Sequence, residues 1–320
     1  MSILVRNLHY RSTLKDKLSI IFLASGDQIL YAYMMAKVFD EHNFFCVINE
    51  PYHWITNILE IPDNLTIVNN TNFLLYNNCD LIICNDRTNS YSNYKKLSSD
   101  LHAPLIYYEH SPPPPGARQE DITLINRTYT CEHSVSIDDG IDKSWKYQFN
   151  DIIPYFIPSL DTDEEKKEKI LLVGNFAPQE YPLIKHLVDN THIPVEVIGD
   201  NPKLSQHPTD WTSFMNSFKT STIFICLSPP MMNSVYLNYA MSAGCKIVGF
   251  GSPLVRSIID KSQSGVICQT IEEAAKKIPT LTVKHSQNAA NYIKSNNTYD
   301  NFKTKWTKVF SQLSTRTYIR

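Results

Sequence analysis

The chain has 320 residues, of which 42% are hydrophobic and 19% charged. That is length and apolar content for two globular domains at roughly 100–200 residues each. A formal net charge of -2 excludes the broad basic field that grips nucleic acid and leaves room only for a local patch. No apolar run approaches the roughly 20 residues that cross a bilayer, and the opening MSILVRNLHYRSTLKDK is broken by charges where a secretion signal would be apolar.

In chain order, Leu18–Leu23 is an apolar run that reads as a buried strand. Ala24-Ser25-Gly26-Asp27 follows, then a helix from about Gln28 to Asp40, with Tyr31, Met34, Met35, Val38 and Phe39 on one face. The turn Glu41-His42-Asn43 leads to a second strand, Phe44–Ile48. Gly26 and Asp27 therefore sit at a strand's carboxyl end, the usual ligand edge of a parallel sheet. Asp27 either caps the helix or faces a ligand. Asn64–Tyr76 is polar with short apolar pieces, and Cys79–Cys84 is the next strand. Tyr91–Leu101 reads as a helix, and Pro104–Tyr108 as a strand running into Glu109-His110-Ser111 and four prolines. His110, at that strand's carboxyl end, can donate a hydrogen bond to a ligand or be a loop residue tied to Glu109. Thr128–Cys131 reads as one more strand, ending in Glu132-His133-Ser134, with His133 a structural residue.

Phe149–Thr162 reads as a join between domains, and the charged run Asp161–Lys169 as a solvated linker. Apolar character then returns at Ile170–Val173, followed by Gly174-Asn175 and a helix over Tyr181–Val188. Val195–Ile198 is a strand ending in Gly199-Asp200-Asn201-Pro202, and Trp211–Phe218 a short helix. Ser221–Leu227 is a buried strand that Ser228-Pro229-Pro230 stops. Asn233-Ser234 then caps a helix to about Ala243, which Gly244 ends before the strand Cys245–Phe250. This βαβ unit aims a helix N-terminus, with free N–H groups, at the carboxyl edge of a sheet, where it suits a phosphate. A helical segment begins at Val255–Ile259; Gly265–Cys268 is a late strand and Ile271–Ile278 a helix. The tail holds helices over Ser286–Ser295 and Asp300–Ser311, the latter with Phe302, Trp306 and Phe310 at core spacing.

The seven cysteines include six in or beside apolar runs and no Cys-x-x-Cys pair. That usage fits reduced, buried thiols in a cytoplasmic compartment rather than a zinc ribbon or redox pair. Nor is there a cluster of histidine ligands to imply a metal.

Ala240-Met241-Ser242-Ala243-Gly244-Cys245-Lys246-Ile247-Val248 resembles the nucleotide-binding segment of retaining glycosyltransferases of the family-4 type, which read Glu-Ala-Met-Ala-x-Gly there. Ile157-Pro158-Ser159-Leu160-Asp161 and Gly199-Asp200-Asn201-Pro202 are similar to that family's inter-domain segment and nucleotide turn. The resemblance implies an α/β protein with the GT-B fold: two Rossmann-like domains whose parallel sheets face a central cleft. Residues 1–155 would form the acceptor-side domain, joined by the terminal helix 300–320, and residues 156–299 the donor side. The implied reaction is sugar transfer from a nucleotide-diphosphate sugar, with retention and without a metal or cofactor, the donor being a UDP-sugar used as substrate. Carried residue by residue, it assigns His110 and Asp27 to catalysis. It assigns Gly26, Gly174, Asn175, Gly199, Ser228 and Tyr239 to the donor, with Tyr239 bonding a ribose hydroxyl. In place of the family's missing charges, the helix start at Asn233 and Ser234 and the cation Arg256 are candidates for the diphosphate, or else a plain helix cap and a surface arginine. The chain departs from the family where its two glutamates fall at Met231 and Tyr239, and where its diphosphate-binding Arg and Lys fall at Asn175 and Glu180.

Three functions stay open at this level. The acceptor is a glycan or related hydroxyl compound; or it is a hydroxymethylated base in viral DNA, in a host cytoplasm; or the chain is a GT-B shell that binds without turnover. Composition heavy in Asn, Lys, Ile and Tyr suits an AT-rich genome, and the Cys79–Ser111 region is faintly similar to phage DNA glucosyltransferases.

Overall fold

A computed structural model describes residues 17–24, 28–48, 54–68, 79–84, 91–109, 131–141, 149–160, 166–174, 176, 180–199, 205–227 and 234–314. Seven strands form the first sheet: β1 (Ser19–Ala24), β2 (Asn43–Ile48), β3 (Leu65–Val68), β4 (Leu81–Cys84), β5 (Leu105–Glu109), β6 (His133–Ser136) and β7 (Asp151–Ile152). Their order is β3-β2-β1-β4-β5-β6-β7, every pairing parallel. A parallel sheet is covered on both faces, so its central strands read as unbroken apolar runs, and Ile20–Ala24 and Leu81–Cys84 are buried throughout.

Helix α1 (Ile29–Val38) follows β1, and nine of its ten residues are buried. Its last carbonyls are met from a distance. The Asn64 amide donates to Ala36 O, Phe39 O and His42 O at 3.0, 3.1 and 3.0 Å, satisfying groups a helix end leaves open. β3 begins one residue later, within the stretch the sequence reads only as polar with apolar pieces. Helix α2 (Tyr91–Leu101) lies between β4 and β5. The strand expected over Thr128–Cys131 lies, but for Cys131, outside the described residues; the described ladder runs over His133–Ser136 and pairs His133 with Ile106. His133 Nε2 meets Asp151 Oδ2 at 2.9 Å, so this histidine fastens the start of β6 to β7.

The second sheet holds β8 (Lys167–Val173), β9 (Val195–Ile198), β10 (Ser221–Cys226), β11 (Lys246–Phe250) and β12 (Gly265–Cys268), in the order β12-β11-β10-β8-β9. Between and after them run α3 (Tyr181–Asn190), α4 (Trp211–Thr220), α5 (Ser234–Ser242), α6 (Pro253–Ser262), α7 (Ile271–Lys277), α8 (Val283–Asn296) and α9 (Tyr299–Ser314). Asp210 caps α4 by accepting from Ser213 N at 2.7 Å, and Thr270 caps α7 by accepting from Glu273 N at 3.2 Å. Gly244 has φ +70, the left-handed backbone that stops α5 where expected. No helix among the described residues is long and apolar enough to cross a membrane.

The last helix returns to the first sheet. Trp306 is completely buried, edge-on to Tyr108 of β5 at 5.1 Å, and Phe310 meets Phe39 at 5.2 Å. The Tyr299 hydroxyl donates to Val38 O at 3.3 Å and Lys305 Nζ to Ile152 O at 2.8 Å. The aromatic spacing Phe302, Trp306, Phe310 is therefore packing, as expected.

Candidate functional site

In each sheet the chain winds outward from an inner strand and later crosses back. The reversal lies between β1 and β4 in the first sheet and between β8 and β10 in the second. Crossovers leave a crevice outside the carboxyl ends at such a point, where ligands bind in open α/β sheets. Gly26-Asp27 follows β1, Gly174-Asn175 follows β8 and Ser228 follows β10.

The two carboxyl edges face each other, because the segments leaving them touch at both flanks. On one flank, Trp54 follows β2 and packs edge-on to Phe214 at 5.4 Å and His207 at 6.1 Å, both beyond β9. Tyr33 of α1 lies 5.4 Å from Trp211. Aromatic pairs of this kind add about 0.5–1.5 kcal/mol each beyond the area they bury. On the other flank, Asp138, just beyond β6, reaches α6, the helix after β11. Its carboxylate accepts from Ser257 Oγ at 3.0 Å, Lys261 Nζ at 2.7 Å and Gly140 N at 2.7 Å. Lys261 also meets Asp139. Burial works against the Lys261 charge, but the bonds to Asp138 and Asp139 outweigh it and hold the ammonium pKa above its usual value. With β2 opposite β9 and β6 opposite β11, the carboxyl ends of β1, β4 and β5 lie opposite those of β8 and β10.

Sequence reasoning missed this clasp. Asp138-Asp139-Gly140 shows only a turn, and nothing local marks a partner 123 positions away. Replacing Asp138 with Ala strands three donors and is expected to cost about 1–3 kcal/mol. Small-angle scattering should show a larger radius of gyration as the flank opens. An unchanged radius together with an unchanged melting temperature would show that the clasp does not set the inter-domain angle.

Between the domains, the Ser242 hydroxyl of α5 donates to Pro158 O at 2.8 Å and accepts from Leu160 N at 3.1 Å. The second turn of the Ala-Met-Ser-Ala-Gly motif thus grips the joining segment directly.

The structure brings some of the expected site residues together and leaves others aside. Gly174 and Gly199 are side by side: Gly174 N donates to Ile198 O at 3.0 Å, and a Cβ on Gly199 would lie 2.1 Å from Gly174 O. Only glycine allows this approach of the β8 and β9 ends. Ser234 opens α5 at the second sheet's carboxyl edge. Arg256 is exposed on α6, the helix that carries Ser257 and Lys261. Tyr239 lies almost wholly inside the fold. Its ring is 1% exposed, edge-on to Trp211 at 6.0 Å and tilted against Phe218 at 5.9 Å. Burial, with the Tyr33 phenol nearby, pushes its pKa well above the usual phenol range. Its ring packs between α5 and α4. Glu180, where the resemblance leads one to look for Lys, is 7% exposed and immediately precedes α3. Gly26, Asp27, His110, Asn175, Ser228 and Asn233 lie outside the described residues.

No protein-family model matches the chain, and no curated protein does. Solved structures do. Anabaena Alr3699/HepE in complex with UDP and glucose superposes with TM-score 0.74 at 12% identity, over 92% of this chain and 100% of that one. A glycosyltransferase from Rickettsia africae gives TM-score 0.64 at 10% identity, over 95% and 100%. WaaG, a glycosyltransferase involved in lipopolysaccharide biosynthesis, gives 0.61 at 12% identity, over 91% and 99%. The fold is GT-B: two parallel-sheet α/β domains, as expected.

Proposed function

We propose that this chain is a glycosyltransferase that moves a sugar from a nucleotide-diphosphate sugar, a UDP-sugar, to a hydroxyl of an acceptor glycan or related compound. The observation that carries the reading is the pair of facing carboxyl edges, fixed at both flanks, with the start of α5 on one of them. The likeness to a fold that holds UDP and glucose in the Anabaena protein supports it.

In this reading the donor diphosphate lies at the start of α5, where first-turn amides and the helix dipole favour an anion. The acceptor oxygen attacks the anomeric carbon on the face the diphosphate leaves. The new C–O bond forms as the bond to the diphosphate breaks, and the acceptor proton passes to a departing phosphate oxygen. Configuration is retained, and neither a protein nucleophile nor a metal is used. His110 donates a hydrogen bond to the donor sugar, and Asp27 holds the acceptor hydroxyl. With Asn175 and Glu180 in place of a cationic pair, the growing negative charge falls to the amides and to Arg256.

Thermal scanning with UDP, UDP-glucose and a wider nucleotide set tests this. A ligand at about 100 times its dissociation constant adds about 2.7 kcal/mol of stability, so UDP and at least one UDP-sugar should raise the melting temperature clearly. A chain that no nucleotide or nucleotide sugar stabilises is not a glycosyltransferase of this kind. UDP-sugar binding without transfer or hydrolysis across a broad acceptor panel would favour the silent binding protein. Retardation of hydroxymethylated DNA at low salt would favour the viral DNA acceptor.

A further inference from the structure

The last two helices strap the halves together. α8 is bonded to the second domain, where Ser286 Oγ donates to Gly244 O and Asn288 Nδ2 to Gln263 O. α9 then packs on the first domain. A polar atom in that seat has no partner. His42, in the turn between α1 and β2, is half-buried, and its Nδ1 is buried without a hydrogen bond among the described residues. The ring lies flat on Phe39 at 5.9 Å and tilted against Phe310 of α9 at 6.0 Å. Asn64 holds the turn beneath it, donating to the His42 carbonyl at 3.0 Å.

The neutral ring can keep its one proton on Nε2 and present only a lone pair at Nδ1. A second proton puts a charged N–H there with nothing to accept it. The charged groups around the ring pull both ways. Glu41 of the same turn and Asp80, ahead of β4, favour the proton, whereas Lys303 of α9 opposes it. Lys303 is itself drawn to Glu41, at 3.9 Å, and to Asp40. Its ammonium also stands over the Phe39 ring at 5.9 Å, so the aromatic face beside His42 already serves another cation. Burial is the largest influence and holds the ring's pKa below its usual value.

We infer that His42 is an acid-sensitive latch for the terminal helix, and that protonating its ring loosens α9 from the first domain. With α9 released, the imidazole titrates near its ordinary value of about 6.5, so the released state takes up the proton first. The seat is therefore intact above that pH and is lost as pH falls below it toward the pKa of the seated ring. The latch stands apart from the sugar-transfer reading and does not depend on it.

Hydrogen exchange of the full chain without ligand, at about pH 7.5 and about pH 5.0 and corrected for the intrinsic rate, tests it. His42→Phe and His42→Leu keep the slot apolar and remove the titration, while every other histidine remains. On acidification the parent should lose protection over α9 at least about fivefold more than the variants do, the lower end for a buried donor left unpaired. β4, in the middle of the first sheet, is the reference. Acid losses over α9 that agree within about twofold between the parent and a folded variant overturn the latch. So does a loss that β4 shares equally, which marks a weaker fold and not a freed helix. Should neither His42 variant fold, Lys303→Gln decides. It removes the cation that opposes the imidazolium, so the acid loss over α9 should shrink, and an undiminished loss overturns the latch.

Discussion

Trp306→Ala is expected to cost about 3–5 kcal/mol, the usual loss when a large buried aromatic is truncated. At roughly 2–4 °C per kcal/mol for a chain of this class, the melting temperature should fall by roughly 6–20 °C. The indole is wholly buried and touches Tyr108, Phe302 and Phe310. Tyr108 in turn meets Tyr31 and Tyr155, rings from α1 and from the segment just beyond β7. Tyr31 and Tyr155 are themselves stacked at 4.5 Å. One side chain of the last helix therefore closes an aromatic stack that runs across the first domain. Its loss should free α9 as a unit and expose the link between α8 and α9 to protease before the rest of the chain. A drop under 2 °C, with unchanged cleavage, would mean that α9 is held by its edges and not by this ring.

Gly199→Ala is expected to damage both stability and donor binding. Its methyl would stand 2.1 Å from the Gly174 carbonyl oxygen, a separation that real atoms do not share. The obstacle is backbone, so no side chain can swing aside, and the ends of β8 and β9 must part. Overpacking of this kind costs about 1–3 kcal/mol and sometimes more. The shift falls on the carboxyl edge where the donor is proposed to lie, so UDP affinity should drop by more than about tenfold, roughly 1.4 kcal/mol. Gly251→Ala separates this steric effect from backbone strain. Its φ of +49 disfavours a side chain, but its Cβ would meet no atom within 4 Å, so the left-handed backbone alone costs about 1–2 kcal/mol. If Gly199→Ala is no worse than Gly251→Ala in melting and binding, close approach of the two strand ends is not what the glycine provides.

Most strands and helices were legible because burial and periodicity are local. Apolar runs such as Leu81–Cys84 and Ser221–Cys226 sit in the middle of parallel sheets and carry the signal undiluted. β3 and β7 lie at the two edges of their sheet, are half-covered and short, and carry little of it. The proposed site is legible as a strand-end edge and less so as a set of side chains. The glycine pair at Gly174 and Gly199 and the helix start at Ser234 could be located because strand ends mark them. The family pattern fixes the position of Tyr239 along α5, whereas the surroundings of its ring are set by tertiary packing. Trp211 and Phe218 give it a wall.

By itself, the sequence determined two parallel-sheet α/β halves and the role of Phe302, Trp306 and Phe310, since each of these follows from spacing that neighbours along the chain enforce. Only the tertiary structure decided that Asp138 meets Lys261, that Trp54 meets Phe214, and that Ser242 of α5 bonds the joining segment. Those outcomes depend on which surfaces meet after the halves have formed. A pairing between residues more than a hundred positions apart leaves no periodic trace in the chain that makes it.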